Sequence, residues 1–401
     1  MTAVVDAPAH ARRGTVHGFA LSLVALLAMM VGASAPSPFY PVLQQDIGFS
    51  AATLTAIFAV YAVALLLTLL VTGSLSDHVG RRPVVSGAFA LLAVSMVVFW
   101  HADSVTLLVL ARVVQGVASG LLLSALSATV VDLEPPSRPG LAATFNSVVP
   151  LAGLALGALV AGAVIDVTGS ALTVVFGVLT VVYAVLAGLV WLLPETSPRH
   201  DGVLQSLRPR VGVPASARPA FTRSAPALFA GWATGGLYLS LGAPLAGQEL
   251  GGTGHLEQGL VVTTLTGVGA LSSFLARRRT SRQITLYGTT ALAVGTALTL
   301  VALAAGSYWG FIAAAVVAGS GFGTSFLGIM RSITPVVSPD ERGELFASVF
   351  VVSYLAFGIP AVVAGLAAPQ IGLAATTYAY GGLVIVLSGS AALLRKLRSD
   401  D

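Results

Sequence analysis

The sequence predicts an all-α membrane protein of twelve transmembrane helices arranged as two pseudo-symmetric six-helix bundles. Three observations carry this: apolar runs of spanning length, basic residues confined to alternate connections, and an internal repeat. Of the 401 residues, 56% are hydrophobic and 9% charged, against roughly 25% charged in an ordinary soluble domain. Such a composition cannot supply a water-facing surface. The apolar residues fall in runs of about 20, the length that crosses a bilayer, so the bilayer is the solvent. The chain holds no cysteine, which excludes disulfides, thiolate metal sites and cysteine nucleophiles.

Hydropathy over a window of about 19 residues places six helices near 17–41, 51–75, 83–101, 104–131, 140–166 and 170–193. A second six fall near 225–247, 257–276, 283–305, 308–333, 343–367 and 371–394. Arg12 and Arg13 precede the first apolar run as in a signal peptide, but that run opens a long series of similar segments and reads as the first span. Residues 194–224 are rich in Pro and Arg (Pro194, Pro198, Pro209, Pro214, Pro219; Arg199, Arg208, Arg210, Arg218, Arg223) and offer little apolar surface to bury. They read as a linker between an N-terminal bundle, 1–193, and a C-terminal bundle, 225–401.

Lys and Arg accumulate in cytoplasmic loops. Arg12, Arg13, Arg81, Arg82, Arg138, the linker arginines, Arg277, Arg278, Arg279, Arg282, Arg331, Arg342, Arg395, Lys396 and Arg398 all fall on one side of a twelve-helix arrangement. Asp46, Asp103, Asp166, Glu249 and Glu257 fall on the other. Both termini are then cytoplasmic and the protein is a multi-pass component of the cytoplasmic (inner) membrane. Gly73, Leu75, Ser76, Arg81 and Arg82 recur as Gly269, Leu271, Ser272, Arg277 and Arg278 at one offset of 196 residues. Gly140 to Gly162 aligns with Gly343 to Gly365 at nearly the same spacing, which argues for duplication.

At residues 73–82, between the second and third helices, the chain reads Gly-Ser-Leu-Ser-Asp-His-Val-Gly-Arg-Arg. This resembles the loop signature of the major facilitator superfamily, Gly-x-Leu-x-Asp-Arg-x-Gly-Arg-Arg, with His78 in place of a basic residue. The resemblance implies the major facilitator fold and transport by alternating access, nearest to the drug or metabolite to proton antiporter branch. Physically, Gly73 and Gly80 permit close helix approach and a tight turn. Asp77 can meet the positive end of a helix, and Arg81 and Arg82 can hold carboxylates or simply enforce topology. The resemblance further implies a cytoplasmic latch in which Asp77 meets the start of the eleventh helix near Gly343 and Arg81 meets Asp132. The corresponding positions of the second half are Ser273 and Ala276, so that half lacks an equal latch.

In the fourth helix, Arg112, Gln115 and Gly116 resemble the family's Arg-x-x-Gln-Gly signature. Arg112 lies about 12 Å into the span at 1.5 Å per residue, where a charge costs about 2.5 to 3.5 kcal/mol and usually serves a purpose. It shares a helix face with Gln115, either as a polar node for proton or substrate movement or as an arginine bonded to carbonyls. Gly153, Gly157, Ala158, Ala161 and Gly162 of the fifth helix resemble the exporters' Gly-x-x-x-Gly-Pro-x-x-Gly-Gly, with alanine replacing the proline. Small residues at this spacing also serve plain helix packing. Pro360 in the eleventh helix keeps a proline in the duplicate.

By the same resemblance, helices one, four, seven and ten line a central cavity. They offer Ser34, Ser37, Tyr40, Gln115, Ser119, Trp232, Tyr238, Ser320, Thr324 and Phe326, with Asn146 and Tyr354 as neighbours. As a set they describe an aromatic cavity with few polar donors, suited to neutral or lipophilic molecules rather than phosphates. Gly319 to Gly323 lacks the strand and Walker lysine of a nucleotide loop, and no histidine pair has metal-ligand spacing. No cofactor is expected beyond a proton gradient, and no Asp, Glu or His lies mid-span, so proton coupling rests on the resemblance alone. The expected function is efflux of a drug or secondary metabolite, acting as a monomer in the lipid bilayer with no nucleic-acid partner. Uptake of a sugar or amino acid is the alternative. A membrane enzyme would need convergent catalytic groups at mid-depth, and a receptor an outer domain.

Overall fold

The computed structural model describes residues 9–209, 211–338 and 341–397, and contains no strand among them. Arg210, Arg398 and the side chains of Arg12 and Arg13, part of the expected basic set, lie outside the described residues. The long helices are α1 (Ala9–Ser34), α2 (Ala51–Thr72), α3 (Arg81–Trp100), α4 (Val105–Asp132), α5 (Leu141–Val167) and α6 (Ala171–Leu189). They continue as α7 (Arg218–Glu249), α8 (His255–Ala276), α9 (Ser281–Ala304), α10 (Tyr308–Ile333), α11 (Arg342–Ile371) and α12 (Leu373–Leu397). Hydroxyls cap several starts in the ordinary way: Ser50 accepts the Thr53 N–H at 3.1 Å, and Ser307 that of Gly310 at 3.1 Å.

Among the described residues, eleven spans are long and apolar enough to cross a membrane, and α7 is the exception. It carries Arg218 and Arg223 and two interior prolines, Pro226 and Pro244. Yet every residue from 233 to 246 is buried. A helix walled by protein on all sides needs no stripe for lipid.

Two boundaries differ from the sequence reading. The first span ends its α-helix at Ser34, because Pro36 and Pro38 lack the N–H that a continuing helix requires. The chain goes on as a 3-10 turn, Ser37–Phe39, and a short helix, Tyr40–Ile47. The seventh helix starts at Arg218 rather than 225, with Pro219 in its first turn, where no N–H is missed. The connection before it is not devoid of buried surface: Val203–Ser206 is helical, Ala217 is fully buried, and Val213 packs with Leu345 and Val349.

Alternation puts Ala9, Leu397 and the α2–α3, α4–α5, α6–α7 and α8–α9 connections at one end, the basic end, which carries Arg81, Arg82, Arg138 and Arg277–Arg279. Asp103, Asp166, Glu249 and Glu257 mark the opposite, acidic end. Each half has its own apolar core. A further cluster joins them, with Phe58, Tyr61, Ala62 and Leu65 of α2 against Tyr354 and Phe357 of α11.

The halves are sealed at the acidic end. Residues 32–40 and 233–246 are buried without interruption, whereas Leu23, Leu27, Met30, Phe229 and Trp232, nearer the basic end, are half-exposed. Among the described residues, hydrogen bonds between α1–α6 and α7–α12 lie at mid-depth or beyond toward the acidic end. Ser37 Oγ donates to Leu239 O at 3.0 Å, Thr263 Oγ1 to Ala155 O at 3.1 Å, and the His255 and Leu256 N–H groups to Asp166.

Candidate functional site

Arg112 is wholly buried, and the break after α1 is what meets it. The turn at Pro36 and Pro38 brings Tyr40 back against α4, where its hydroxyl accepts Arg112 Nε at 2.7 Å and also Nη2. Arg112 Nη1 donates to Gln115 Oε1 at 2.6 Å, and Gln115 Nε2 to Gly32 O at 2.7 Å. The guanidinium carbon lies 5.4, 5.3 and 5.3 Å from the ring centres of Tyr40, Tyr61 and Phe99. No carboxylate pairs with it among the described residues. The charge is therefore held by neutral acceptors and ring faces, each with a favourable interaction of modest size.

The residues expected to line a cavity separate into groups. Trp232, Phe326 and Tyr354 do meet: Trp232 lies 5.9 Å from Phe326 and 5.0 Å from Tyr354, centre to centre. Phe350 and Phe357, not singled out in the sequence, complete the cluster, and Phe58 of the other half packs at a tilt against Phe357, 4.8 Å between ring centres. Tyr238, by contrast, is buried in the C-terminal core against Phe311 at 5.8 Å. Thr324 donates to Ser320 O and packs against Gly288 of α9, and Ser320 bonds Tyr287. Both Tyr238 and Thr324 point away from the interface, since helical periodicity turns each off the Trp232 face. Ser34 donates to Val31 O and packs against Gly157 of α5. Ser119 is buried beside Tyr61 rather than in open space. Asn146 Nδ2 binds Ser127 O at 3.1 Å, while its Oδ1 is unpartnered.

At the basic end the loop of residues 73–82 is braced within its own half. Gly80 turns the chain at φ +122°, which favours glycine; Gly73 approaches only Leu69 O of its own helix. Asp77 does not reach α11 and pairs with Arg81 instead. The start of α11 is taken by the connection before α7: Ser348 Oγ donates to Gly212 O at 2.7 Å, and a Cβ on Gly212 would collide with the Glu344 carboxylate. Arg81 Nε does meet Asp132 Oδ2 at 3.3 Å. Both residues belong to the first six helices, however, so rocking of the halves need not break the pair.

Glu195, unremarked in the sequence, caps α3. Its oxygens accept the Arg81 N–H at 2.8 Å and the Arg82 N–H at 3.2 Å. Burial alone would raise its pKa, but these N–H groups, that of Ser197 and the Arg199 guanidinium hold the carboxyl below its ordinary value. Thr196 Oγ1 donates to Asp132 at 2.8 Å and the His200 N–H to Asp77 O at 3.1 Å, so this stretch is strapped to the loop.

On α5, Gly153 and Gly157 admit α1, where a Cβ would lie 2.7 and 2.2 Å from the carbonyl oxygens of Leu27 and Val31. Gly162 faces the other half, with a Cβ there falling 2.5 Å from His255 O. Pro360 lies within α11 and is half-exposed.

The pattern of the Major Facilitator Superfamily matches residues 21–361. The quinolone resistance protein NorA of Staphylococcus aureus is 22% identical over 143 residues, 36% of this chain and 37% of NorA. The uncharacterized MFS-type transporter Rv1250 of Mycobacterium tuberculosis is 29% identical over 153 residues, 36% of this chain and 26% of that protein. The chain thus spans well under half the length of either relative.

Proposed function

The chain belongs to the major facilitator superfamily, and on that premise we propose that it is a secondary active transporter of a small neutral or lipophilic organic molecule, working by alternating access. The observation that carries the reading is the uncharged aromatic cluster of Trp232, Phe326, Phe350, Tyr354 and Phe357, set between halves that close at one end only. Aromatic faces bind apolar and planar molecules without demanding a fixed charge. Trp232, Phe326 and Phe350 are half-exposed, so such a molecule entering from the basic end can reach their rings.

The proposed orientation puts the basic end and both termini in the cytoplasm of a cell whose inner membrane holds the protein. The state described is then open inward. Transport is proposed as efflux of a drug or secondary metabolite in exchange for protons, a direction supported by the partial likeness to a quinolone resistance protein. Arg112 is assigned a role in coupling because its neighbour Tyr61 shares a cluster with Tyr354 and Phe357. A substrate pressing on those rings bears on the charged node at the closed end. Gly153, Gly157 and Gly162 set the helix spacing on which closure depends.

The test is accumulation of a lipophilic fluorescent dye in a pump-deficient bacterial strain. Cells expressing the protein should hold less dye than vector controls, and Trp232→Ala should restore the control level. Equal accumulation with and without the protein contradicts efflux, and higher accumulation with it supports uptake instead.

A further inference from the structure

The acidic end carries a contact between the halves that the transport reading leaves unused. Asp166, on the last turn of α5, reaches the first turn of α8. Its Oδ1 accepts the His255 N–H at 2.9 Å and the ring Nδ1–H of His255 at 2.8 Å, and its Oδ2 accepts the Leu256 N–H at 2.8 Å. Those backbone N–H groups are among the ones a helix leaves unpaired at its start. The residue before them is Gly254, which has no side chain to cap the helix. The cap of α8 is thus supplied by the opposite half.

The geometry belongs to one state. Gly162, one turn back on α5, brings the two backbones so close that a Cβ would fall 2.5 Å from His255 O, and a Cβ on Gly259 would fall 2.6 Å from Ala158 O. When the acidic end opens, α5 and α8 part there and every one of these bonds is lost. We propose that Asp166, His255 and the first turn of α8 form a proton-responsive latch that holds the acidic end shut. The proposal rests on the alternating-access reading above.

Histidine ordinarily changes charge between pH 5 and 8. The charged groups on the elements around α8 at this end are Asp166 on α5, Glu249 at the end of α7 and Glu257 on α8 itself. Tyr308, first in α10, donates to Glu257 O at 2.6 Å. All three charged groups are carboxylates, and no connection at this end carries Lys or Arg. The dipole of α8 disfavours a cation at its start, and the Asp166 carboxylate beside the ring offsets it. Protonation therefore turns a hydrogen bond from a neutral ring to the Asp166 carboxylate into an ion pair that only the closed state possesses. Acid on that side of the membrane stabilises closure, and the added stability disappears as the pH rises.

Because the chain has no cysteine, labels can be placed at will. One pair, Asp103→Cys with Ala305→Cys, reports on the acidic end, and a second, Ser137→Cys with Arg278→Cys, on the basic end. Spin-label distances would be measured in proteoliposomes at about pH 8 and about pH 5.5, spanning the histidine range. Acid should raise the closed-to-open ratio at the acidic end by roughly two- to fivefold, the size of a partly exposed ion pair. His255→Gln should abolish that response while keeping the backbone cap. Asp166→Ala should lower the ratio about fivefold at about pH 8, as loss of a helix cap does, and further at about pH 5.5, where the ion pair is lost with the cap. A pH response that survives His255→Gln, or a parental distribution in Asp166→Ala, overturns the latch alone. If neither label pair ever shows two populations, alternating access fails and the latch fails with it.

Discussion

Tyr40→Phe deletes one oxygen and leaves the ring that lies 5.4 Å from the Arg112 guanidinium. That oxygen is the acceptor for both Nε and Nη2 of Arg112, a side chain with 0% exposure. Removing it strands two charged donors where water does not reach, while Nη1 keeps Gln115. A hydrogen bond to a charged group contributes about 1.5 to 3 kcal/mol, so the two together put the cost at about 3 kcal/mol or more. Arg112→Met removes the same bonds from the other side, and a double-mutant cycle isolates what the pair shares. Unfolding of the purified protein in mixed micelles, followed by circular dichroism, should give a coupling of about 2 to 4 kcal/mol. If the two changes add to within about 0.5 kcal/mol, the hydroxyl does not hold the guanidinium and the node is not a unit.

Arg112→Ala should leave membrane abundance near normal yet reduce substrate flux in vesicles, with Arg112→Lys recovering part of it because an ammonium lacks the planar fork; normal flux in the alanine variant would make Arg112 structural only. Glu195→Gln should cost about 1 kcal/mol of stability at neutral pH, the usual size of a helix cap. Since the folded carboxyl sits below its ordinary value, its contribution is present above the unfolded value of about 4.3 and fades as pH falls through the lower folded one. The parent should therefore lose stability in acid more steeply than Glu195→Gln in thermal melts taken from about pH 7 to pH 3, and parallel curves would refute the cap. Gly162→Leu should prevent closure of the acidic end, since a Cβ alone would approach His255 O to 2.5 Å; label distances there should lengthen, and an unchanged distribution would show that the seam gives way elsewhere.

The number and sequence of the spans were legible because a bilayer imposes run length and a basic bias that no packing detail can hide. Even α7, whose prolines and arginines weaken its apolar signal, is found in a window of about 19 residues once its start is set past the arginines, near 225. Its start was misplaced because Arg218 and Pro219 look like loop residues, though a first helical turn tolerates both. The pairing of Arg112 with Gln115 followed from helical spacing, whereas Tyr40, 72 residues away, entered only as a cavity candidate. Its true position depends on the break at Pro36, which a window of 19 residues averages away. Tyr238 and Thr324 were misjudged because listing the polar residues of a helix does not say which face meets the other half. Glu195 and Asp166 could not be read at all as caps, since each serves a helix distant in sequence.

The most direct measurement of the proposed function is dye movement in proteoliposomes under an imposed pH gradient, with the transporter inserted in one orientation. Proton-coupled efflux predicts that dye moves against the direction of proton flow, that reversing the gradient reverses the dye, and that a protonophore abolishes both. Dye that moves with the protons, or that moves equally well with no gradient, would contradict it.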